Sequence, residues 1–142
     1  MLKLKVEDAE DLQILSACVQ DALFKLEDAT FVEGSQSFIM LLDRYCWEKE
    51  DLDKKAYYRS KAALHIEMAN GYELFFETDK PKTHEFSLLS MHLKDDTIFL
   101  HCVDQSIFSV KINALKIFLR DIEEARQVDQ RPDHIEATSS SN

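Results

Sequence analysis

The sequence predicts an α+β protein: an antiparallel sheet or partly closed barrel of about seven strands, with an N-terminal and a C-terminal helix. Three observations lead there. Apolar residues alternate with polar ones in a run of short stretches between residues 29 and 112, separated by turn signals. Stripes at helical spacing flank that run: Leu12, Leu15, Val19 and Ala22 before it, and Leu115, Phe118, Leu119, Ile122 and Ala125 after it. Between residues 29 and 112 no strand is separated from the next by a helical pattern, which indicates α+β rather than α/β.

Leu2, Leu4 and Val6 alternate with Lys3 and Lys5, a short half-buried strand. Asp8 stands where an N-cap belongs, and Glu10 and Asp11 place negative charge at the positive end of a helix dipole. A helix over 9–23 follows. Ala29 to Glu33 is a short strand and Gly34-Ser35 a turn. Ser37 to Trp47 carries Phe38, Ile39, Met40, Leu41 and Leu42, apolar on both faces, which predicts a central strand. Residues 48–56 read as a charged loop or one helical turn. Ser60 to Met68 alternates, with Ala62, Leu64, Ile66 and Met68 on one face. Asn70-Gly71 tolerates positive φ and predicts a hairpin into Tyr72 to Glu77. Thr78 to His84 is a surface loop.

Phe86 to Lys94 and Thr97 to Val103 pair across Asp95-Asp96. A two-residue turn there sets Leu93 opposite Ile98 and Met91 opposite Leu100. Leu89, Met91, Leu93, Ile98, Leu100 and Cys102 then form a core face. Ile107 to Ile112 is the last strand, and Asn113 caps the second helix. Residues 127–142 contain Pro132 and a Ser-rich end, so a single domain over 1–126 and a disordered polar tail are expected. A seven-stranded meander closed by a C-terminal helix suits a pleckstrin-homology-like barrel, which carries little function with it.

The chain has 142 residues, long enough for one domain with its own core. Its formal charge is −10, with 13 acidic and 5 basic groups in residues 1–53. Such a balance argues against gripping a phosphate backbone or an anionic membrane, so neither nucleic acid nor membrane is an expected partner. Gly34 and Gly71 are the only glycines, which excludes glycine-rich phosphate loops. Cys18, Cys46 and Cys102 form no C-x-x-C pair and read as reduced thiols of a cytoplasmic protein. The start turns acidic at once, so no secretion signal is expected, and no apolar run approaches membrane-spanning length.

Three stretches carry a resemblance: LSACVQDA (Leu15 to Ala22), LLDRYCWE (Leu41 to Glu48) and RSKAALHIE (Arg59 to Glu67). Together and in this order they resemble an uncharacterised bacterial family, domain of unknown function 2948, over most of residues 1–126. Asp43 and Tyr45 depart from the Asn and Phe of that family's pattern. The Asp43 departure weakens any role for an amide there. The resemblance implies a small cytoplasmic single-domain protein and no activity.

The most unusual cluster is Asp43, Arg44, Trp47 and Glu48, with Arg59 in the next strand. Two guanidiniums beside a Trp can clamp an anion or anchor a protein partner. Alternatively, Arg44 and Arg59 pair with Asp43 and Glu48 while Trp47 packs on the core. Asp21, expected at the helix C-terminus, opposes the macrodipole and so has a local reason: pairing with an Arg such as Arg44, capping the following backbone amides, or service as a catalytic acid. The expected register places His92 and His101 diagonally on one face, where a carboxylate from elsewhere would complete a metal site. No catalytic motif, metal set or cofactor motif is complete, and the Phe-rich segments read as core rather than base-stacking surface. The leading expectation is a non-enzymatic protein–protein interaction module acting on an unidentified partner or on itself. The alternative is a small-ligand-binding or metal-dependent enzyme using a His/carboxylate site.

Overall fold

A computed structural model describes residues 1–75 and 80–132. In chain order it contains β1 (Lys3–Val6), α1 (Ala9–Cys18), β2 (Leu23–Lys25), β3 (Ala29–Val32), β4 (Ser37–Tyr45), β5 (Tyr57–Ile66) and β6 (Ala69–Phe75). Then follow β7 (Glu85–Lys94), β8 (Thr97–Cys102), β9 (Ile107–Ile112), β10 (Ile117–Asp121) and β11 (Arg126–Val128). The 11 strands form one open antiparallel sheet in the order β1-β10-β5-β4-β2-β7-β8-β9-β6, with β3 added to β4 and β11 to β5. Of the two expected forms, an antiparallel sheet or a partly closed barrel, the open sheet is the one present, and the pleckstrin-homology-like reading falls with the barrel. Among the described residues α1 is the only α-helix.

The expected C-terminal helix is a strand. Leu115, Phe118, Leu119 and Ile122 fit helical spacing, but Ile117, Leu119 and Asp121 fit period two equally well, and these three are buried. Sheet pairing decides the tie. β10 lies between β1 and β5, with Val6 opposite Ile117 and Ile117 opposite Ile66, so it gives the short β1 its hydrogen-bond partner. The strand count rises from about seven to 11 because β2, β10 and β11 join it and β1 belongs to the same sheet.

α1 begins as expected. Asp8 is extended and its carboxylate accepts the Asp11 N–H at 2.8 Å. The helix stops at Cys18 rather than residue 23. Asp21 adopts φ 68°, and its N–H reaches the Leu88 carbonyl at 2.7 Å, turning the chain into β2. Leu12 and Leu15 of α1, with Val19 beyond it, complete a core formed by one sheet face. The Ser16 hydroxyl accepts the Met91 N–H at 2.9 Å, tying α1 to β7.

The β7–β8 register matches expectation: Met91 faces Leu100, Leu93 faces Ile98 and His92 faces Phe99. Leu89 does not face the core. A bulge between Leu88 and Ser90 reverses the alternation, so Leu88 is buried and Leu89 exposed. Asn70-Gly71 is also no hairpin turn. The chain leaves β5 through Met68 at φ 56°, and β6 pairs with β9 rather than β5. Gly71 marks a bulge inside β6, and Met68 is exposed rather than inward.

The boundary drawn at residue 126 falls within β11, where Arg126 pairs opposite Arg59. Pro132 is buried. Phe76 and part of the expected 78–84 loop, and the rest of the expected tail from 133, lie outside the described residues. No helix among the described residues is long and apolar enough to cross a membrane.

Candidate functional site

The strand register decides what the Arg/Trp cluster can do. Tyr45 on β4 is opposite Arg59 on β5, and Arg44 is opposite Ser60. Neighbouring residues of a strand point to opposite faces. Arg44 and Arg59 therefore lie on different sides of the sheet and do not form one clamp.

Arg44 is 1% exposed on the core side. Its Nε and Nη2 donate to Asp121 at 3.0 and 2.9 Å. Nη1 and Nη2 donate to Glu48 at 2.9 and 2.8 Å. Burial disfavours the charge, but the hydrogen bonds to Glu48 and Asp121 outweigh it and hold the guanidinium above its ordinary range. In return, Arg44 holds the Glu48 carboxyl below its usual value. Asp121 also accepts the Leu2 N–H at 2.9 Å, so the pair fastens β1, β4 and β10 together. Burial raises the nearby Cys18 and Cys46 thiols despite the opposing pull of Arg44. Neither is poised as a nucleophile.

On the other side, Arg59 Nη1 donates to the backbone carbonyls of Asp21 and Asp43 at 3.0 and 2.9 Å. Its guanidinium lies 5.5 Å from the Tyr45 ring centre. Burial lowers its proton affinity, against the pull of Asp43 and Asp21. The Asp43 carboxylate pairs not with Arg59 but with Arg126, through contacts of 2.9 and 2.5 Å. Trp47 packs edge-on against Tyr45, and its indole N–H donates to the Gln20 carbonyl at 2.9 Å. The Tyr45 hydroxyl donates to Glu50, which is also held by Arg131. Burial and that hydrogen bond push the phenol up, while Arg131 holds Glu50 down. A hollow of about 690 Å³ opens beside Arg59, with Glu85, Asp129 and Arg131 in its wall beside Leu23, Val103 and Val128.

Sequence reasoning therefore found Arg44–Glu48 but missed Asp121, Arg126, Glu50 and Arg131. Asp121 had a readable signal: in period two it falls on the buried side with Ile117 and Leu119, where a carboxylate needs a cation. Arg126 and Arg131 had none, because their partners lie over 80 residues away.

A different surface leaves its charges available. Across the outer sheet face one row runs Lys5, Phe118, His65, Ile39, and the next runs Lys3, Arg120, Ala63, Leu41. All of these residues but Leu41 line a groove of about 610 Å³. Leu41 is 45% exposed and continues the second row outside the lining of this groove. At the basic end of the groove, Lys5 has one exposed contact, to Glu7 at 3.5 Å. His65 Nε2 is shielded from solvent and has no hydrogen-bond partner among the described residues.

His92 and His101 do share a face, as the register required. Their rings stack in parallel, 4.8 Å apart, with Phe99 on the other side of His92 at 5.1 Å. Burial and His92 lower the His101 pKa. Among the described residues no three His, Cys, Asp or Glu side chains converge to hold a metal.

Fold and sites thus define a single-domain antiparallel-sheet protein with one α-helix among its described residues, its buried ion pairs serving as internal fasteners. The chain belongs to the family described as "Protein of unknown function (DUF2948)", whose profile matches residues 2–134. Neither the curated proteins nor the solved structures contain a match to this chain.

Proposed function

We propose that the protein is a non-enzymatic protein-binding module of the cytoplasm that docks an acidic segment of a partner on the outer face of β1, β10, β5 and β4. The observation that carries this reading is the groove itself: Lys3, Lys5 and Arg120 edge an apolar floor of Ile39, Ala63 and Phe118. A basic patch on a chain of charge −10 selects acidic partners and steers their approach. Meanwhile Asp43, Arg44, Trp47, Glu48 and Arg59 spend their polar groups within the fold. Three free cysteines fit a reducing compartment.

The test is in-cell photo-crosslinking from position 41, with position 52 as an exposed control remote from the groove. A discrete adduct from position 41 that disappears in a Lys3→Glu/Lys5→Glu/Arg120→Glu variant is expected. An adduct that survives charge reversal, or none from position 41, overturns the proposal.

A further inference from the structure

We infer that the acidic segment of the partner enters as a further strand on the open edge of β1, antiparallel to it, with an acidic–apolar–acidic triplet opposite Lys5, Leu4 and Lys3. This rests on the docking face proposed above and adds how its occupant is held.

β1 stands at one end of the sheet, paired with β10 and with no other strand among the described residues. The residue just before it shows which way its backbone groups point. The Leu2 carbonyl accepts the Asp121 N–H at 2.9 Å, and the Leu2 N–H donates to the Asp121 carboxylate at 2.9 Å. Leu2 therefore turns both backbone groups toward β10. Successive residues of an antiparallel strand alternate in this respect, so Leu4 and Val6 also face β10 while Lys3 and Lys5 face outward. Lys3 and Lys5 thus present two N–H and two C=O groups along the open edge. Such a row is a template for another extended chain.

Side chains decide which chain the edge accepts. Lys3 and Lys5 are exposed, and Leu4 is half-buried. Lysines on an edge strand ordinarily discourage pairing. Here they discriminate. A second β1 laid antiparallel brings lysine against lysine, and like charges directly opposite destabilise a pair. An acidic strand gains from the same positions. Lys3 and Lys5 are two strand rises apart, about 7 Å, which is also the spacing of alternate residues in the incoming strand. Facing residues share a sheet face, so two acids meet Lys5 and Lys3 at the basic end of the groove, beside Arg120. The residue between them points to the other face, next to Leu4. Leu2 and Leu4 pack on the core but are only partly buried, so an apolar side chain there extends the core past its present edge. The exposed Lys5–Glu7 contact at 3.5 Å is weak enough for an incoming carboxylate to replace.

The probe is the peptide acetyl-Thr-Val-Glu-Leu-Glu-Val-Thr-amide, titrated into the full chain and followed by amide NMR and hydrogen exchange. Shifts are expected in residues 2–6 and 118–120. At saturation the Lys3 and Lys5 N–H groups should exchange at least about tenfold more slowly, because they gain acceptors. Methylating the nitrogen of either Glu keeps the charge but removes a donor aimed at β1, and should weaken binding about tenfold or more. Methylating the Leu nitrogen, which points away from β1, should weaken it far less. Gln in place of both Glu residues should weaken binding about tenfold, and Lys in both places should abolish it. Unchanged exchange at Lys3 and Lys5, equal binding by the peptides methylated at Glu, equal binding by the Gln peptide, or no shifts at millimolar peptide overturns the inference. A dimer in which Lys3 and Lys5 are already protected without peptide also overturns it, placing a second copy on the edge. Unchanged exchange at Lys3 and Lys5 together with a charge-dependent adduct at position 41 would leave the docking proposal standing while this one falls.

Discussion

Asp121→Ala should be among the most damaging single changes in the molecule. It removes two hydrogen bonds to a guanidinium that is 1% exposed, from a carboxylate that is itself 6% exposed. It also strands the Leu2 N–H. Removing one partner of a buried pair costs about 3–5 kcal/mol, because the remaining charge stays buried. Glu48 still holds Arg44 by its other edge, which places the cost near the lower end, at about 3–4 kcal/mol. Glu48→Gln should cost only about 1 kcal/mol, since that side chain is 48% exposed. In urea, with a slope of about 2 kcal/mol per molar, Asp121→Ala should lower the midpoint by roughly 1.5–2 M. Arg44→Met/Asp121→Leu should recover most of the loss, because it removes the unpaired charge rather than exposing it. An Asp121→Ala variant within about 1 kcal/mol of the parent, or one less damaged than Glu48→Gln, would refute this reading of the network.

Three further outcomes are expected. Leu88→Ala should cost about 2–5 kcal/mol and Leu89→Ala under about 0.5 kcal/mol by urea denaturation, because the bulge buries only the first. Cys102, whose thiol burial pushes up to about 12, should resist iodoacetamide at neutral pH in the native state and react on unfolding, as mass spectrometry would show. His101 has a folded pKa below its unfolded value, so the unfolded chain binds the extra proton first. Its contribution is complete above about pH 6.5 and declines as pH falls below that value, and His101→Phe should flatten the stability profile in this window.

How much of this was legible in the sequence depends on whether the deciding interaction was local. The β7–β8 hairpin was, down to His92 opposite Phe99, because a two-residue turn fixes register. The Asp8 cap was legible for the same reason. The segment 115–122 was not, since Leu115–Ile122 satisfies both helical and strand periods and only the vacancy between β1 and β5 chooses between them. Asn70-Gly71 misled because a strong turn signal can equally mark a bulge. At the candidate cluster, residue types showed that charges would pair but not with which partner. Asp43 found Arg126, 83 residues away. The groove was invisible for a related reason. Its cations come from β1 and β10, at opposite ends of the chain, and Lys3 and Arg120 meet only through strand pairing.

The central claim is that binding belongs to the outer-face groove while the Arg/Trp cluster fastens the fold. The most direct test compares two variants in the position-41 crosslinking assay, with melting curves for each. Lys3→Glu/Lys5→Glu/Arg120→Glu should abolish the adduct and leave the melt within a few degrees of the parent. Asp43→Ala, which breaks the exposed pair with Arg126, should leave the adduct intact. Loss of the adduct in Asp43→Ala, with retention after charge reversal in the groove, would contradict the account.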